Sequence, residues 1–155
     1  MSGYRLIPLV AVLVLGSAPD AWAGQPTEQL RAYTDQVLKV LKDPALSLPE
    51  RREAVKHLAE EVFEVSETAK RALGQHWLQR TPAEREEFVK LFANLLEQTY
   101  IARIDEFGGE KLRYVSEQID GDRAIVRARI MTKNGTEVPV ESRLLQKETR
   151  WLIYD

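Results

Sequence analysis

LGQHWLQRTPAEREEFVKLFANLLEQTYIARIDEF, residues 73–107, sets the architecture of this chain. Gly74 follows Leu73 where a helix needs a left-handed residue to stop, a conformation that glycine adopts without strain. Trp77 comes just past that turn. Thr81-Pro82-Ala83-Glu84 then forms a capping box, with proline at the first helical position and glutamate in the first turn. The spacing predicts a helix from Pro82 to about Phe107, roughly 25 residues or near 37 Å long. Phe88, Leu91, Phe92, Leu95, Leu96, Thr99, Ala102 and Arg103 trace one stripe, and Tyr100, Ile101 and Ile104 widen it. An amphipathic helix buries about a third of its circumference, and the second half of this one is apolar over more than that. It must be covered from two sides or cover something else.

Upstream, Leu30, Tyr33, Val37, Leu38 and Leu41 fall at helical spacing from Thr27 until Asp43-Pro44 ends the pattern, after a flexible start at Gly24–Pro26. Ser47-Leu48-Pro49-Glu50 is a second capping box, opening a helix with Val55, Leu58 and Val62 on its apolar stripe. Phe63 to Val65 is a break. Ser66 then caps a short helix, Glu67 to Leu73.

Downstream the period changes to two. Lys111–Ile119, Arg123–Thr132, Thr136–Leu145 and Trp151–Tyr154 read as strands, with turns at Asp120-Gly121-Asp122, Lys133-Asn134-Gly135 and Lys147-Glu148-Thr149. The central hairpin has a register that can be chosen on paper. A two-residue Asn-Gly loop would set Val140 opposite Arg129 and Ala128 opposite Glu141. A three-residue loop pairs Val138 with Ile130, Val140 with Ala128 and Glu141 with Arg127, and it puts Gly135 at the left-handed position. A one-residue slip would turn a whole apolar face to water, so the three-residue loop is expected. The fold class read from these patterns is α+β: N-terminal helices and one long helix packed on an antiparallel sheet of about four strands.

The first 23 residues stand apart. Arg5, the apolar run Leu6–Leu15 and Ala21-Trp22-Ala23 make the pattern of a secretory signal peptide cleaved after Ala23. The apolar run is about half of the roughly twenty residues a membrane span needs. Cleavage leaves residues 24–155, 132 residues, the size of one domain. With no cysteine, neither disulfides nor thiolate metal sites hold it together, and lipid attachment through cysteine is excluded. The formal net charge of −2, with both signs well mixed, argues against a nucleic-acid partner.

No residue asks for catalysis. His57 and His76 lack a second ligand at i+3 or i+4, so no metal site is expected. Glu84, Glu86, Glu87 and Glu97 solvate the exposed side of the long helix, and Gly108-Gly109 is a helix stop without a phosphate-loop pattern. No cofactor is expected. The positive signal is apolar: a broad helix opposite small residues, Ala124 and Ala128, which leave space rather than fill it.

The run Phe63 … Ala69-Lys70-Arg71-Ala72-Leu73-Gly74 … Trp77, then Thr81-Pro82 … Phe88-Val89 … Phe92 … Leu95-Leu96 … Thr99-Tyr100, resembles the Mla-type periplasmic phospholipid carriers, the MlaC or toluene-tolerance family. The closing Trp151-Leu152-Ile153-Tyr154-Asp155 is similar to the family's W-x-V-Y-D strand. Family members usually continue into a segment close to I-E-G-V-S-L-V and a last helix, whereas this chain ends first, at Asp155, a departure from the family pattern. Ser142 stands where members often have tyrosine.

The resemblance implies a nuclear-transport-factor-like fold around a lipid-tail cavity. It implies a periplasmic protein that carries glycerophospholipid between an outer-membrane lipoprotein complex and an inner-membrane ABC transporter complex. Some relatives sit with hopanoid-synthesis genes, which leaves the lipid class open. Together with the facing pattern, it nominates Phe88, Phe92, Leu95, Leu96, Tyr100, Ile104, Val126, Ile130, Val140 and Leu144 as tail contacts, each with an ordinary core role as its alternative. Two other readings stay open at this point. One is an interaction protein whose apolar helix buries against a partner or a second copy. The other is a small-molecule enzyme with Arg129 or Tyr100 as a polar group inside the pocket.

Overall fold

The computed structural model describes residues 25–106 and 109–155. Among these residues, four α-helices precede a four-stranded sheet: α1 (Gln25–Lys42), α2 (Leu48–Val62), α3 (Val65–Leu73) and α4 (Pro82–Tyr100), then β1 (Lys111–Asp120), β2 (Arg123–Met131), β3 (Glu137–Lys147) and β4 (Arg150–Ile153). The strands form an antiparallel meander in the order β1-β2-β3-β4. The expected signal segment lies outside the described residues.

The sheet register follows side-chain chemistry. Val138 faces Ile130, Val140 faces Ala128 and Glu141 faces Arg127, the pairing that keeps one face apolar. The loop is closed by Thr132, whose N–H donates to the Thr136 carbonyl at 3.0 Å and whose own carbonyl accepts from Gly135 N–H at 3.0 Å. Gly135 has φ +77°, the left-handed residue that a three-residue hairpin needs. On the inner face, Ala124, Val126, Leu144 and Trp151 pack with Leu30 of α1 as the core, with Tyr114 and Ile153 against it. Leu144 is fully buried.

Both capping boxes form. Ser47 N–H donates to Glu50 Oε2 at 2.8 Å, and Thr81 N–H donates to Glu84 Oε2 at 2.8 Å while Thr81 Oγ1 accepts from Glu84 N–H at 3.3 Å. Four expectations are corrected. Gln25 and Pro26 are not a flexible lead but the first turn of α1, with Pro26 buried. Their anchor is Glu117 of β1, whose Oε2 accepts from Thr27 N–H at 2.7 Å.

Ser66 does not cap α3. The helix starts at Val65, with Glu64 at its cap position, and Ser66 sits inside the first turn. The cause is tertiary: Phe63 bridges to Ile153 and Glu64 N–H donates to the Ile153 carbonyl at 2.7 Å, holding the chain extended up to Glu64. The long helix is also shorter than its pattern. Regular α-helix ends at Tyr100 and Ile101–Glu106 tightens into a 3₁₀ helix, a common way to close a last turn. Phe107 and Gly108 lie outside the described residues.

The last correction concerns packing. α1 supplies most of the helix contact with the sheet, joined by α2 at β4, whereas α4 packs against α3 and its 3₁₀ extension against α2. A 3₁₀ helix, Gly74–Gln79, turns the chain between α3 and α4. Arg85 fixes that corner: its Nε donates to the Trp77 carbonyl at 2.9 Å, and its guanidinium lies 5.4 Å over the Trp77 ring. Gly74 makes the turn possible, with φ +54°. Among the described residues, no helix is long and apolar enough to cross a membrane.

Candidate functional site

An apolar-walled concavity lies where α1 crosses the end of α2 and β4. Leu30, Tyr33, Thr34, Val37, Leu38 and Leu41 form one wall, Val62 and Phe63 the other, and Ile153 closes the floor. Its volume is about 310 Å³, at the lower end of the roughly 300–1,000 Å³ usual for ligand pockets. The α1 residues face one way because they recur at three- and four-residue spacing. Phe63 reaches the groove because the bridge to Ile153 interrupts the helices there. Phe63 stays 45% exposed, a large ring at the rim.

Polar groups are few and mostly spent. Thr34 Oγ1 donates back to the Leu30 carbonyl at 2.9 Å, so the 2.9 Å contact between Thr34 and Tyr114 is one in which the phenol donates. Half-burial pushes the Tyr114 phenol above its ordinary range, keeping it protonated. Arg31 covers the outer side of that ring at 4.9 Å. Behind the Leu30 and Ile153 wall, the Trp151 indole N–H is buried without a hydrogen-bond partner among the described residues, an arrangement that costs about 1–3 kcal/mol. The Trp151 backbone is fixed by Gln29, whose Oε1 accepts from Trp151 N–H at 2.7 Å.

A second depression, about 530 Å³ and more open, lies between α3 and α4 and is lined by Val65, Trp77, Arg85, Val89, Lys90 and Ala93, among others. Of its two cations, Arg85 is already committed to the Trp77 corner. Among the described residues, no group of three His, Cys, Asp or Glu could hold a metal ion. His57 lies exposed between Glu53 and Glu60 at 3.2 and 3.4 Å. Arg129 lies on the outer face of the sheet with Glu137, and Tyr100 is 67% exposed, so neither is a polar group inside the groove.

The ten nominated residues fall into two groups. Phe88, Phe92, Leu95, Leu96, Tyr100 and Ile104 lie along α4 and its extension. Phe88 and Phe92 stack with ring centroids 5.7 Å apart. Leu95 is 57% exposed, and no residue of α4 is fully buried. Val126, Ile130, Val140 and Leu144 lie on the inner sheet face, where Val126 and Leu144 belong to the core. None of the ten lines either concavity. The groove residues were visible as the helical stripe from Leu30 to Leu41, but the pattern of an amphipathic core helix does not differ from that of a groove wall. Phe63, a large aromatic in a helix break, was the one local signal.

A family model for the MlaC protein matches residues 31–155, from the first turns of α1 through the whole sheet. The chain belongs to the MlaC family. Among solved structures, a phospholipid-binding protein from Ralstonia solanacearum, determined in complex with a phospholipid, is similar in fold. The two share 23% identity at a TM-score of 0.72, over 84% of this chain and 76% of that one. A Campylobacter jejuni protein described as an NTF2-like transpeptidase aligns over 83% of this chain and 95% of its own at 14% identity. Its TM-score is 0.48, too loose a likeness to bear on function. The MlaC fold thus covers the helices and the meander that build the groove.

Proposed function

We propose that this MlaC-family protein is a periplasmic lipid carrier that holds the acyl chains of a glycerophospholipid in an apolar interior and shuttles it between outer- and inner-membrane complexes. The observation that carries the reading is the groove between α1, α2 and β4, whose walls are aliphatic and aromatic apart from Thr34. Exposing a 16-carbon chain to water costs on the order of 12 kcal/mol at about 0.8 kcal/mol per CH₂. A carrier that crosses an aqueous space needs a dry container for tails and no catalytic group. The related fold in Ralstonia solanacearum with phospholipid bound supports the ligand class. Loading two tails extends the groove toward the small residues Ala124 and Ala128 and the nominated sheet positions Val126, Ile130, Val140 and Leu144.

Mass spectrometry of an organic extract of the purified mature chain tests this. Co-purified phospholipid at near one molecule per chain is expected. A chain that is lipid-free, and stays so when offered labelled phospholipid, overturns the reading.

One observation favours a second reading. Leu91, Leu95 and Tyr100 lie 57–67% exposed along α4, an apolar strip that a partner or a second copy would cover. Size-exclusion chromatography with light scattering separates the two: an obligate dimer without lipid supports the interaction protein.

A further inference from the structure

The outer face of the sheet carries an arrangement that the groove does not use. Alternation along β2 and β3 turns Arg127, Arg129, Glu137, Glu141 and Arg143 away from the core, and Arg113 joins them through its pairing with Arg129. The two carboxylates are each shared by two guanidiniums. Glu137 receives Arg129 at 2.6 Å and Arg113 at 3.2 Å; Glu141 receives Arg127 at 2.9 Å and Arg143 at 3.4 Å. The four arginines stay 43–68% exposed. A guanidinium has five N–H donors in a rigid fork, so each arginine keeps outward donors after serving its glutamate. The positive surroundings also hold the Glu137 carboxyl below the usual range, first through its hydrogen bond from Arg129.

We propose that this double Arg–Glu–Arg face of β2 and β3 is a docking surface for an acidic patch on a protein partner. Two physical points choose the partner. Four cations face three anions, because Asp155 Oδ2 also lies 3.9 Å from Arg143 Nε, and the face keeps a net positive charge on a chain whose formal charge is −2, so the attraction is local and directional. The shared carboxylates lower the net charge of the face while fixing where the guanidiniums point. An anionic lipid surface rewards net charge, at about 1 kcal/mol per basic residue, and gains nothing from fixed geometry. A set of carboxylates held by a protein rewards the fork, because bidentate pairing depends on orientation. The two triads sit four residues apart on β3, about 14 Å at the rise of an extended strand, a span matched to a patch rather than to a single ion. This surface stands independently of whether the groove holds lipid.

The experiment uses the mature chain, a hexaglutamate peptide and vesicles of phosphatidylglycerol and phosphatidylcholine in equal parts. NMR of the arginine side-chain Nε–H groups is expected to show peptide-dependent shifts at Arg113, Arg127, Arg129 and Arg143, weakening as salt rises. The charge-conserving double variant Arg127→Lys/Arg129→Lys is expected to bind the peptide about fivefold less tightly, and Arg127→Glu/Arg129→Glu not measurably. Lys42→Glu, on α1, leaves the peptide affinity unchanged. Equal peptide affinity for the lysine variant overturns the proposal, as does the absence of shifts at these four guanidiniums. Vesicle binding through the same arginines, without peptide binding, assigns the face to a membrane and also overturns it.

Discussion

Glu117 of β1 caps a helix ninety residues away: its Oε2 accepts from both Thr27 N–H, at 2.7 Å, and Thr27 Oγ1, at 2.5 Å. The first turn of α1 is therefore tied to the sheet by a charged acceptor aimed at otherwise unpaired helix donors. Replacing Glu117 with Ala is expected to lower stability by about 1–2 kcal/mol, the usual worth of a helix cap. Urea denaturation measures it, and amide hydrogen exchange should rise first in Gln25–Leu30. A loss of stability without faster exchange there would contradict the tether.

Leu144 and Leu95 look alike in sequence and differ in burial. Leu144 is fully enclosed, so Leu144→Ala should cost about 2–5 kcal/mol. Leu95 is 57% exposed, and Leu95→Ala should cost under about 0.5 kcal/mol in the lipid-free monomer. Equal costs would mean that α4 is covered in solution.

Glu148 is the one described residue other than glycine with positive φ, +54°, in the tight turn between β3 and β4. A side chain there crowds the backbone by about 1–2 kcal/mol. Glu148→Gly is expected to raise the thermal midpoint, and Gly135→Ala, at φ +77°, to lower it. Calorimetry of the two variants checks both signs.

Three carboxylates make folding pH-dependent in one direction. Glu50 is held below its ordinary range chiefly by the Ser47 side-chain hydrogen bond, Glu84 by the Thr81 backbone N–H, and Glu137 by Arg129. A folded value below the unfolded one gives stability that is present above the unfolded value, about 4.3, and lost as pH falls through the folded value. The urea midpoint should therefore fall below about pH 4.3, and Glu84→Gln should make that fall shallower while lowering the midpoint at neutral pH. An unchanged acid slope in Glu84→Gln would contradict the capping role of its charge.

The groove and the α4 strip can be separated as lipid sites. Val37→Glu puts a carboxylate into the wall between α1 and α2. It is expected to reduce co-purified phospholipid at least about tenfold, because an unpaired charge in an apolar site costs several kcal/mol. Leu95→Glu, on the exposed strip, should leave the lipid content unchanged. The reverse result would move the tails to α4 and to the residues nominated there.

Much of this protein was legible locally. Gly74, both capping boxes and the hairpin register act within a few residues, through backbone donors, φ preference and the two-residue period, and each stands as its sequence implies. The start of α3 is not legible at Ser66 because the deciding bond joins Glu64 to Ile153, far away in sequence. The groove was not legible at all. Leu30, Val37 and Leu38 have the spacing of a core stripe whether a sheet, another helix or an open concavity faces them.

By itself the sequence determined the two capping boxes, the Gly74 stop, the register of the central hairpin and the membership of residues 31–155 in one family. Hydrogen bonding and side-chain period are near-neighbour properties, so they can be read along the chain. Tertiary structure decided that α1 rather than α4 covers the sheet, that Phe63 stands at a groove rim and that four arginines share two glutamates. Those outcomes depend on which apolar stripe reaches which face first, a competition among distant segments whose patterns are nearly the same.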